Sequence, residues 1–202
     1  MTPKIAPWAP RIFTLNGFAK EDILSGASAL DVGCGGRKLV GSTGMDILAL
    51  PSVDILHDFN KTPWPFADNS FDLVLLNHAL EHATNVVDVM NEIHRVLKPS
   101  GRVVIQVPHF RSIDAYSDPT HLHFFTARTL DYFTKDSGLS KYNYTDKLFV
   151  KKGFWYGWPH RSHNPLRQVF KDFIHAHPTL YDQYLSLLIP TECLTWELEA
   201  LK

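Results

Sequence analysis

The stretch Ala29-Leu30-Asp31-Val32-Gly33-Cys34-Gly35-Gly36 decides the fold, because a short apolar run leads directly into a glycine-rich turn. The apolar run predicts a β-strand. The glycines permit positive φ angles and let a ligand approach the backbone without a Cβ in the way. In open α/β sheets, ligands bind beyond the carboxyl ends of the strands. The stretch therefore predicts a first strand with a candidate ligand site in the turn behind it.

Further strands and one clear helix follow along the chain. Apolar runs at 44–47, 53–56, 71–76 and 102–107 predict four more strands. Between the last two, apolar side chains recur at three- and four-residue steps from Val86 to Leu97, until Pro99 and Gly101 end the pattern. A strand, a helix and a strand at this spacing predict a right-handed crossover and a parallel sheet.

The C-terminal part predicts shorter elements. Thr126 is positioned to cap a helix that extends through Phe133, and Asn164 with Pro165 opens another helix. The apolar residues of this second helix are expected to share one face: Leu166, Val169, Phe170, Phe173 and Ile174. Apolar and polar residues alternate over 194–200, with Thr195, Glu197 and Glu199 expected to face outward, which predicts a half-exposed antiparallel edge strand. The predicted fold class is α/β: a doubly wound, mostly parallel sheet with an antiparallel C-terminal edge strand and helices on both faces.

Composition excludes several classes of protein. The 202 residues are 45% hydrophobic and 20% charged, with a net charge of −1, which is typical of one folded domain without a general affinity for nucleic acid or acidic membranes. No apolar run approaches the roughly 18 residues of a membrane span, and three prolines interrupt the first 13 residues, so we expect no secretory signal. With only two cysteines, Cys34 and Cys193, we expect a cytoplasmic protein.

Polar residues stand at the ends of the next three predicted strands. Asp46 is placed to accept hydrogen bonds from ribose hydroxyls, Asp58 with Phe59 offers an acceptor beside a stacking face, and Asn77 ends the following strand. The alternatives are that these residues only cap a helix, cap a turn or lie in a loop. Lys38 stands where the dinucleotide pattern G-x-G-x-x-G needs its third glycine, which disfavours a nicotinamide-dependent oxidoreductase.

Four segments together resemble the class I S-adenosylmethionine-dependent methyltransferases: DVGCGG at 31–36, GMDI at 44–47, HDFNKTPWPFADNSFDLVLLNHALEH at 57–82 and EIHRVLKPSGRVVI at 92–105. The resemblance covers about 27–135. It implies a seven-stranded sheet with a reversed hairpin at its C-terminal edge and S-adenosylmethionine as cofactor. It also implies a cofactor half at about 27–110 of a single domain 1–202, followed by an acceptor-side elaboration at about 111–193.

The resemblance also implies roles for residues at the strand ends. Gly33 and Gly35 would flank the methionine part, Asp46 would hold the ribose, and Asp58 with Phe59 would face the adenine. The complete set that we expect at the cofactor is Asp31, Gly33, Cys34, Gly35, Asp46, Ile47, Asp58, Phe59, Asn77, His78 and His82. Two features depart from the family pattern: Arg37 replaces a frequent third glycine, and the ten residues between Gly35 and Asp46 leave almost no room for the usual helix.

A second group of residues is expected to serve the methyl acceptor. His109 follows the fifth strand, and Asp118, His121 and His123 lie in the segment DPTHLHFF at 118–125, which a similar subgroup also carries. A histidine is a suitable base for removing a proton from an acceptor. These four residues are therefore our candidate catalytic residues. The alternatives are that they form a packed loop or bind a cation.

The resemblance implies an enzyme that transfers a methyl group from S-adenosylmethionine to an unidentified small-molecule acceptor and releases S-adenosylhomocysteine. We expect no nucleic-acid or membrane partner. One alternative is a cofactor-binding domain without transferase activity that serves as a partner module. Another is a metal-dependent hydrolase built on His109, Asp118, His121 and His123.

Overall fold

The computed structural model describes residues 27–135, 137–157 and 164–202. The predicted absence of a secretory signal rests on the first 13 residues, which lie outside this part. Seven strands form one sheet: β1 (Ala29–Val32), β2 (Thr43–Asp46), β3 (Ile55–Leu56), β4 (Phe71–Asn77), β5 (Leu97–Pro108), β6 (Phe149–Tyr156) and β7 (Cys193–Ala200). Their order across the sheet is β3-β2-β1-β4-β5-β7-β6.

The helices connect these strands. The α-helices are α1 (Val86–Val96), α2 (Asp114–Ser117), α3 (Pro165–Ala176) and α4 (Pro178–Gln183). Short 3-10 helices cover Leu80–His82, Thr129–Phe133, Ser140–Tyr142 and Leu185–Leu187. The predicted long helix is confirmed as α1. It begins after Asn85, whose side chain accepts a hydrogen bond from the Val87 N–H.

The sheet confirms the predicted fold class. Strands β3, β2, β1, β4 and β5 are parallel, while β7 runs antiparallel between β5 and β6. The strand order reverses between β1, which continues towards β2, and β4, which continues towards β5. Ligands of open parallel sheets bind at such a switch point, beyond the carboxyl ends of the strands. The loops that follow β1, β2, β3 and β4 are therefore where a ligand site is expected.

Three local predictions are corrected by the structure. β7 is not the outermost strand, because β6 pairs with its free side, and the Thr195 and Glu197 side chains that were expected outside are buried. The helix predicted from Thr126 is a 3-10 turn over Thr129–Phe133. The apolar face predicted on α3 is largely exposed among the described residues, since only Ile174 of that helix is buried.

One hydrophobic core joins the sheet and its helices. It contains Val89, Met90, Ile93 and Val96 of α1 together with apolar residues of the central strands, and it extends to Trp196 on β7. Burying side chains of this size contributes roughly 1.5–3 kcal/mol each, so this core fixes the positions of the strand ends. Within the three described ranges, no helix has the length and apolar character needed to cross a membrane.

A buried ion pair lies where β5 meets β7. Arg102 Nη1 donates to Glu197 Oε1, and the Glu197 side chain is almost fully buried. Burial raises the pKa of Glu197, although the Arg102 guanidinium opposes this effect. Arg102 Nε also lies 3.5 Å from Glu199 Oε2. Arg102 therefore compensates a carboxylate that the antiparallel register forces into the protein interior.

We predict that Arg102→Met lowers the free energy of unfolding by about 3 kcal/mol at neutral pH, because Glu197 loses its counter-ion while it stays buried. When the pKa of a carboxyl group is raised in the folded state, the protein loses stability as pH rises. The loss should therefore be larger at pH 8 than at pH 5 in urea titrations. Arg102→Met/Glu197→Gln is the control and should recover most of the loss; a double variant as unstable as the single one would contradict the explanation.

Candidate functional site

The loop after β1 lies against the segment after β4. Gly33 has φ +66°, and a Cβ at this position would lie 2.8 Å from the Ala79 Cβ. Its N–H donates to the Met45 carbonyl at 2.8 Å, which ties the loop to β2 as well. Only glycine accommodates both this φ angle and this contact. Gly33 therefore holds together the carboxyl ends of three neighbouring strands.

Asp46 connects the same loop to the end of β2. The Gly35 N–H donates to Asp46 Oδ2 at 2.8 Å, and the Leu48 N–H donates to Asp46 Oδ1 at 2.8 Å. An ionised carboxylate has about four lone-pair sites, so two accepted bonds leave capacity for ligand hydroxyl groups. Gly35 has φ +52°, and a Cβ there would have no neighbour within 4 Å, so the loop presents bare backbone at this point.

Asp31 holds the loop after β1 through a hydrogen bond to its backbone. Its side chain is buried and accepts the Leu39 N–H at 2.7 Å. Burial raises the pKa of this carboxyl to about 7, although the Leu39 hydrogen bond opposes the effect. Asp31 was expected at the cofactor, but with its carboxylate buried and used by the backbone it is a positioning residue for residues 33–39.

Cys34 is also buried rather than facing the open side of the loop. Desolvation raises the pKa of its thiol to about 11, so the thiol is neutral at physiological pH. A Cβ at Gly44 would approach the Cys34 sulfur to 2.8 Å, which shows how closely this side chain packs behind β2. Its backbone remains part of the loop, while its side chain is structural. No helix forms between β1 and β2, as the short spacing predicted.

The residues after β3 and β4 complete this edge of the sheet. Asp58 is half-buried, and its Oδ1 accepts the Asn60 N–H at 3.0 Å. Phe59 packs partly against the core, and its carbonyl accepts the Trp64 indole N–H. Ile47, after β2, is exposed. At the end of β4, the Asn77 Oδ1 atom is buried without a hydrogen-bond partner among the described residues.

His109 does not reach this edge. Its side chain is fully buried, and its Nε2 lies 3.2 Å from Asp182 Oδ1. Asp182 also accepts the Tyr156 hydroxyl at 2.8 Å and the Ala127 N–H at 2.8 Å. The carboxylate thereby joins β5, β6 and α4 in one buried network. The expected catalytic role of His109 is incompatible with this position, because no acceptor can contact a fully buried imidazole.

The segment 118–123 packs instead on the turn Leu80–His82. The Leu122 and His123 N–H groups both donate to the Glu81 carbonyl, at 2.9 and 3.3 Å. The rings of His82 and His121 are 4.7 Å apart. The expected cluster of His109, Asp118, His121 and His123 is therefore not formed. Among the described residues, the carboxylate and imidazole atoms that converge belong to Glu81, His82 and His121.

Sequence reasoning missed Glu81. Its side chain is fully buried, and neither carboxylate oxygen has a hydrogen-bond partner among the described residues. A usable signal was present: in His78-Ala79-Leu80-Glu81-His82 the glutamate follows one histidine by three residues and precedes another directly. Residues three and four apart share one face of a helical turn, so such a pattern concentrates ligand atoms.

Comparison with protein families gives a match to residues 30–105, described as a methyltransferase domain. Among curated proteins, the chain is similar to the demethylmenaquinone methyltransferase of Bacillus cereus (strain B4264), with 37% identity over 65 residues. These residues are 32% of this chain and 27% of that protein. The chain thus spans about a quarter of the length of the curated relatives that it matches.

Solved structures extend the similarity beyond the matched segment. An S-adenosylmethionine-dependent methyltransferase from Mesorhizobium loti superposes with a TM-score of 0.54 at 17% identity, covering 87% of this chain and 92% of that one. The [4+2]-cyclase SpnF superposes with a TM-score of 0.52 at 18% identity, covering 87% and 75%. At these identities the similarity shows the fold alone, and SpnF, a cyclase by its name, shares it.

We predict that Asp31→Asn changes how stability depends on pH. The raised pKa of Asp31 means that the wild-type chain loses stability as pH rises from about 4 to above 7. The amide introduced by this substitution would keep an oxygen for the Leu39 N–H without any charge. Relative to the variant, the wild type should therefore lose about 1 kcal/mol or more between pH 4.5 and 8 in urea titrations.

The matched comparison is Asp54→Asn. Asp54 also accepts a backbone N–H, from Gly44, but it is exposed, and this bond together with Lys38 lowers its pKa. Relative to this variant, the wild type should gain stability as pH rises, which is the opposite sign. Parallel pH profiles for the wild type and Asp31→Asn would contradict the assignment of a raised pKa to Asp31.

Proposed function

We propose that this chain, which carries a class I S-adenosylmethionine-dependent methyltransferase domain, transfers the methyl group of S-adenosylmethionine to a small-molecule acceptor. The observation that carries the proposal is the glycine loop after β1, bonded through the Gly35 N–H to the carboxylate of Asp46 at the end of β2. When bound, the cofactor supplies a sulfonium methyl group, which the acceptor atom takes as the carbon–sulfur bond breaks, leaving S-adenosylhomocysteine.

The cofactor residues in this proposal follow the order of the strand ends. Bare backbone at Gly33 and Gly35 lets the methionine part approach the loop, and the free lone pairs of Asp46 receive the ribose hydroxyls. Asp58 with Phe59 borders the adenine. The unpartnered Oδ1 atom of Asn77 offers an acceptor for a cationic or N–H group near the reacting centre.

This set of residues fits the cofactor chemically. An adenosine needs acceptors for its hydroxyl groups and an apolar face for its base, and a carboxylate and an aromatic ring stand on neighbouring strand ends. A methionine tail needs close approach to backbone, which a glycine with φ +52° and open space at its Cβ position allows. The buried side chains of Asp31 and Cys34 stabilise the conformation of this loop.

The acceptor side of the proposal rests on the residues after β4 and on the segment 118–123. This segment is bonded to the Glu81 carbonyl, next to the strand end that contributes Asn77. Because methyl transfer is an in-line displacement, holding the acceptor at near-contact distance supplies most of the required acceleration. With His109 buried, the acceptor side of the proposal comprises Asp118, His121 and His123.

A function without methyl transfer is the second candidate, because a cyclase shares the fold. SpnF is a [4+2]-cyclase by its name, so one fold can serve a reaction other than methyl transfer. The alternative function is a cofactor-binding domain without transferase activity that serves as a partner module. The two functions make the same prediction for cofactor binding and different predictions for methyl transfer. Both quantities therefore have to be measured.

We predict that Asp46→Asn weakens the binding of S-adenosylhomocysteine by about tenfold to a hundredfold, because hydrogen bonds to a charged acceptor contribute roughly 1.5–3 kcal/mol. Calorimetric titration at one pH gives the two dissociation constants. Asp54→Asn is the control, since Asp54 lies close by and also accepts a backbone N–H but stands outside the proposed site. Equal affinity in the wild type and Asp46→Asn would overturn the ribose assignment, and binding of NAD in preference would overturn the cofactor.

The transferase activity itself is tested with S-adenosylmethionine labelled in its methyl group and an extract of small metabolites. We expect label in a small-molecule fraction and one S-adenosylhomocysteine released per methyl group transferred. Tight cofactor binding without any labelled product would support the alternative function. Label in protein or nucleic acid would contradict a small-molecule acceptor.

A further inference from the structure

Glu81 poses a problem that methyl transfer does not explain. Its side chain is completely buried, yet neither Oε1 nor Oε2 has a hydrogen-bond partner among the described residues. A buried carboxylate without compensation is costly, so native proteins pair such a charge or use it to coordinate a metal. No arginine or lysine lies within 4.0 Å of it in the described part of the chain.

The groups that do surround Glu81 are imidazoles. His78 Nδ1 lies 3.4 Å from Glu81 Oε1, and His121 Nε2 lies 3.9 Å from the same oxygen. One ligand atom each from Glu81, His82 and His121 lies within 4.8 Å of the other two. Ligand atoms bound to one cation are typically separated by about 3 to 4 Å, given metal–ligand distances near 2.0–2.2 Å. Small side-chain movements therefore suffice to bring the three atoms onto one ion.

Hydrogen bonds determine which nitrogen of the His82 and His121 rings carries the proton. His82 Nδ1 faces the Thr120 carbonyl at 3.3 Å and the Thr120 hydroxyl at 2.9 Å, while this hydroxyl donates to Asp118 Oδ1 at 2.6 Å. With its proton directed at Asp118, the hydroxyl accepts from His82. His121 Nδ1 lies 3.1 Å from the Ala115 carbonyl, which can only accept.

Both rings thus carry their proton on Nδ1, which leaves the Nε2 lone pair for a metal. This is the arrangement by which outer groups orient metal-binding histidines in proteins. For His121, Nε2 is the atom that faces Glu81. The segment DPTH therefore has a physical role: Asp118 and Thr120 orient His82, and His121 adds a ligand of its own.

We propose that Glu81, His82 and His121 bind one divalent transition-metal cation. The donor set of two neutral imidazoles and one carboxylate suits Zn²⁺, Co²⁺ or Fe²⁺ better than Mg²⁺ or Ca²⁺, which prefer oxygen ligands. The cation neutralises the buried charge of Glu81. Three protein ligands leave a coordination position for water or for another ligand. His78 Nδ1 lies 3.4 Å from Glu81 Oε1, beside the proposed ligands. The proposal does not depend on methyl transfer.

The experiment uses the untagged chain, stripped of metal with a chelator and titrated with Co²⁺ and with Zn²⁺. We expect one equivalent of Co²⁺ with visible absorption bands, displaced by Zn²⁺ but not by a large excess of Mg²⁺. Glu81→Gln and His121→Asn should each weaken binding by about 100-fold or more. Thr120→Val, which removes only the hydroxyl that orients His82, should weaken it by about 10- to 100-fold.

His177→Asn is the matched control, because His177 is an exposed histidine distant in sequence from the cluster. It should bind Co²⁺ as the wild type does. The proposed site would be contradicted if Glu81→Gln still bound one equivalent of Co²⁺ as the wild type does. Loss of Co²⁺ binding in His177→Asn alone would contradict it too. So would a wild-type chain that retains less than one equivalent of either cation after equilibrium dialysis.

Thermal unfolding supplies a readout that a purely structural role of Glu81 would not produce. Without metal, Glu81→Gln should be at least as stable as the wild type, because it removes a buried charge. Zn²⁺ should raise the Tm of the wild type, because a ligand that binds only the folded state stabilises it. It should leave the Tm of Glu81→Gln unchanged. If the wild type is more stable than the variant without metal and gains nothing from Zn²⁺, Glu81 is structural and the proposal fails.

Discussion

The hydrogen bond from the Gly35 N–H to the Asp46 carboxylate is the interaction on which the candidate cofactor site depends. The chain passes from β1 to β2 without a helix, so no regular element holds the intervening loop in place. Asp46 fixes one side of this loop, and Asp31, through the Leu39 N–H, fixes the other. Two carboxylates therefore hold the loop between β1 and β2, where no helix forms. The exposed backbone around Gly35 is held in a conformation that a ligand can use without further ordering.

A second constraint acts on the other side of the switch point. The turn after β4 carries Glu81 with its charge turned into the protein, and the segment 118–123 is bonded back onto the same turn. Burial of an uncompensated charge opposes folding, while the backbone bonds from Leu122 and His123 favour it. A cation bound as proposed would reconcile the two. It would also explain why the Thr120 hydroxyl donates to Asp118 and is thereby left to accept from His82.

Much of the fold could be predicted because its signals are local. The periodic apolar positions of α1 and the continuous apolar runs of β4 and β5 follow from burial against a shared core, which a pattern of residues records directly. The strand-end positions of Asp46 and Asn77 followed from the short apolar runs of β2 and β4. The absence of a helix between β1 and β2 followed from the ten residues available between Gly35 and Asp46.

Other features depend on contacts between distant segments, which a single sequence does not record. The alternation in β7 suggested one wet face, but Arg102 and β6 cover Glu197 and bury it. His109 was expected at the ligand edge because it follows β5, yet Asp182 from α4, 73 residues later, holds it in the interior. Glu81 escaped notice because a glutamate in a short turn is usually exposed.

We propose that the carboxyl ends of β1 to β4 hold S-adenosylmethionine, with Asp46 on its ribose. A crystal structure of the chain with bound S-adenosylhomocysteine tests this claim most directly. We expect both ribose hydroxyls within hydrogen-bond distance of the Asp46 carboxylate and the adenine beside Asp58 and Phe59. A ligand bound elsewhere, or a ribose that does not touch Asp46, would contradict it.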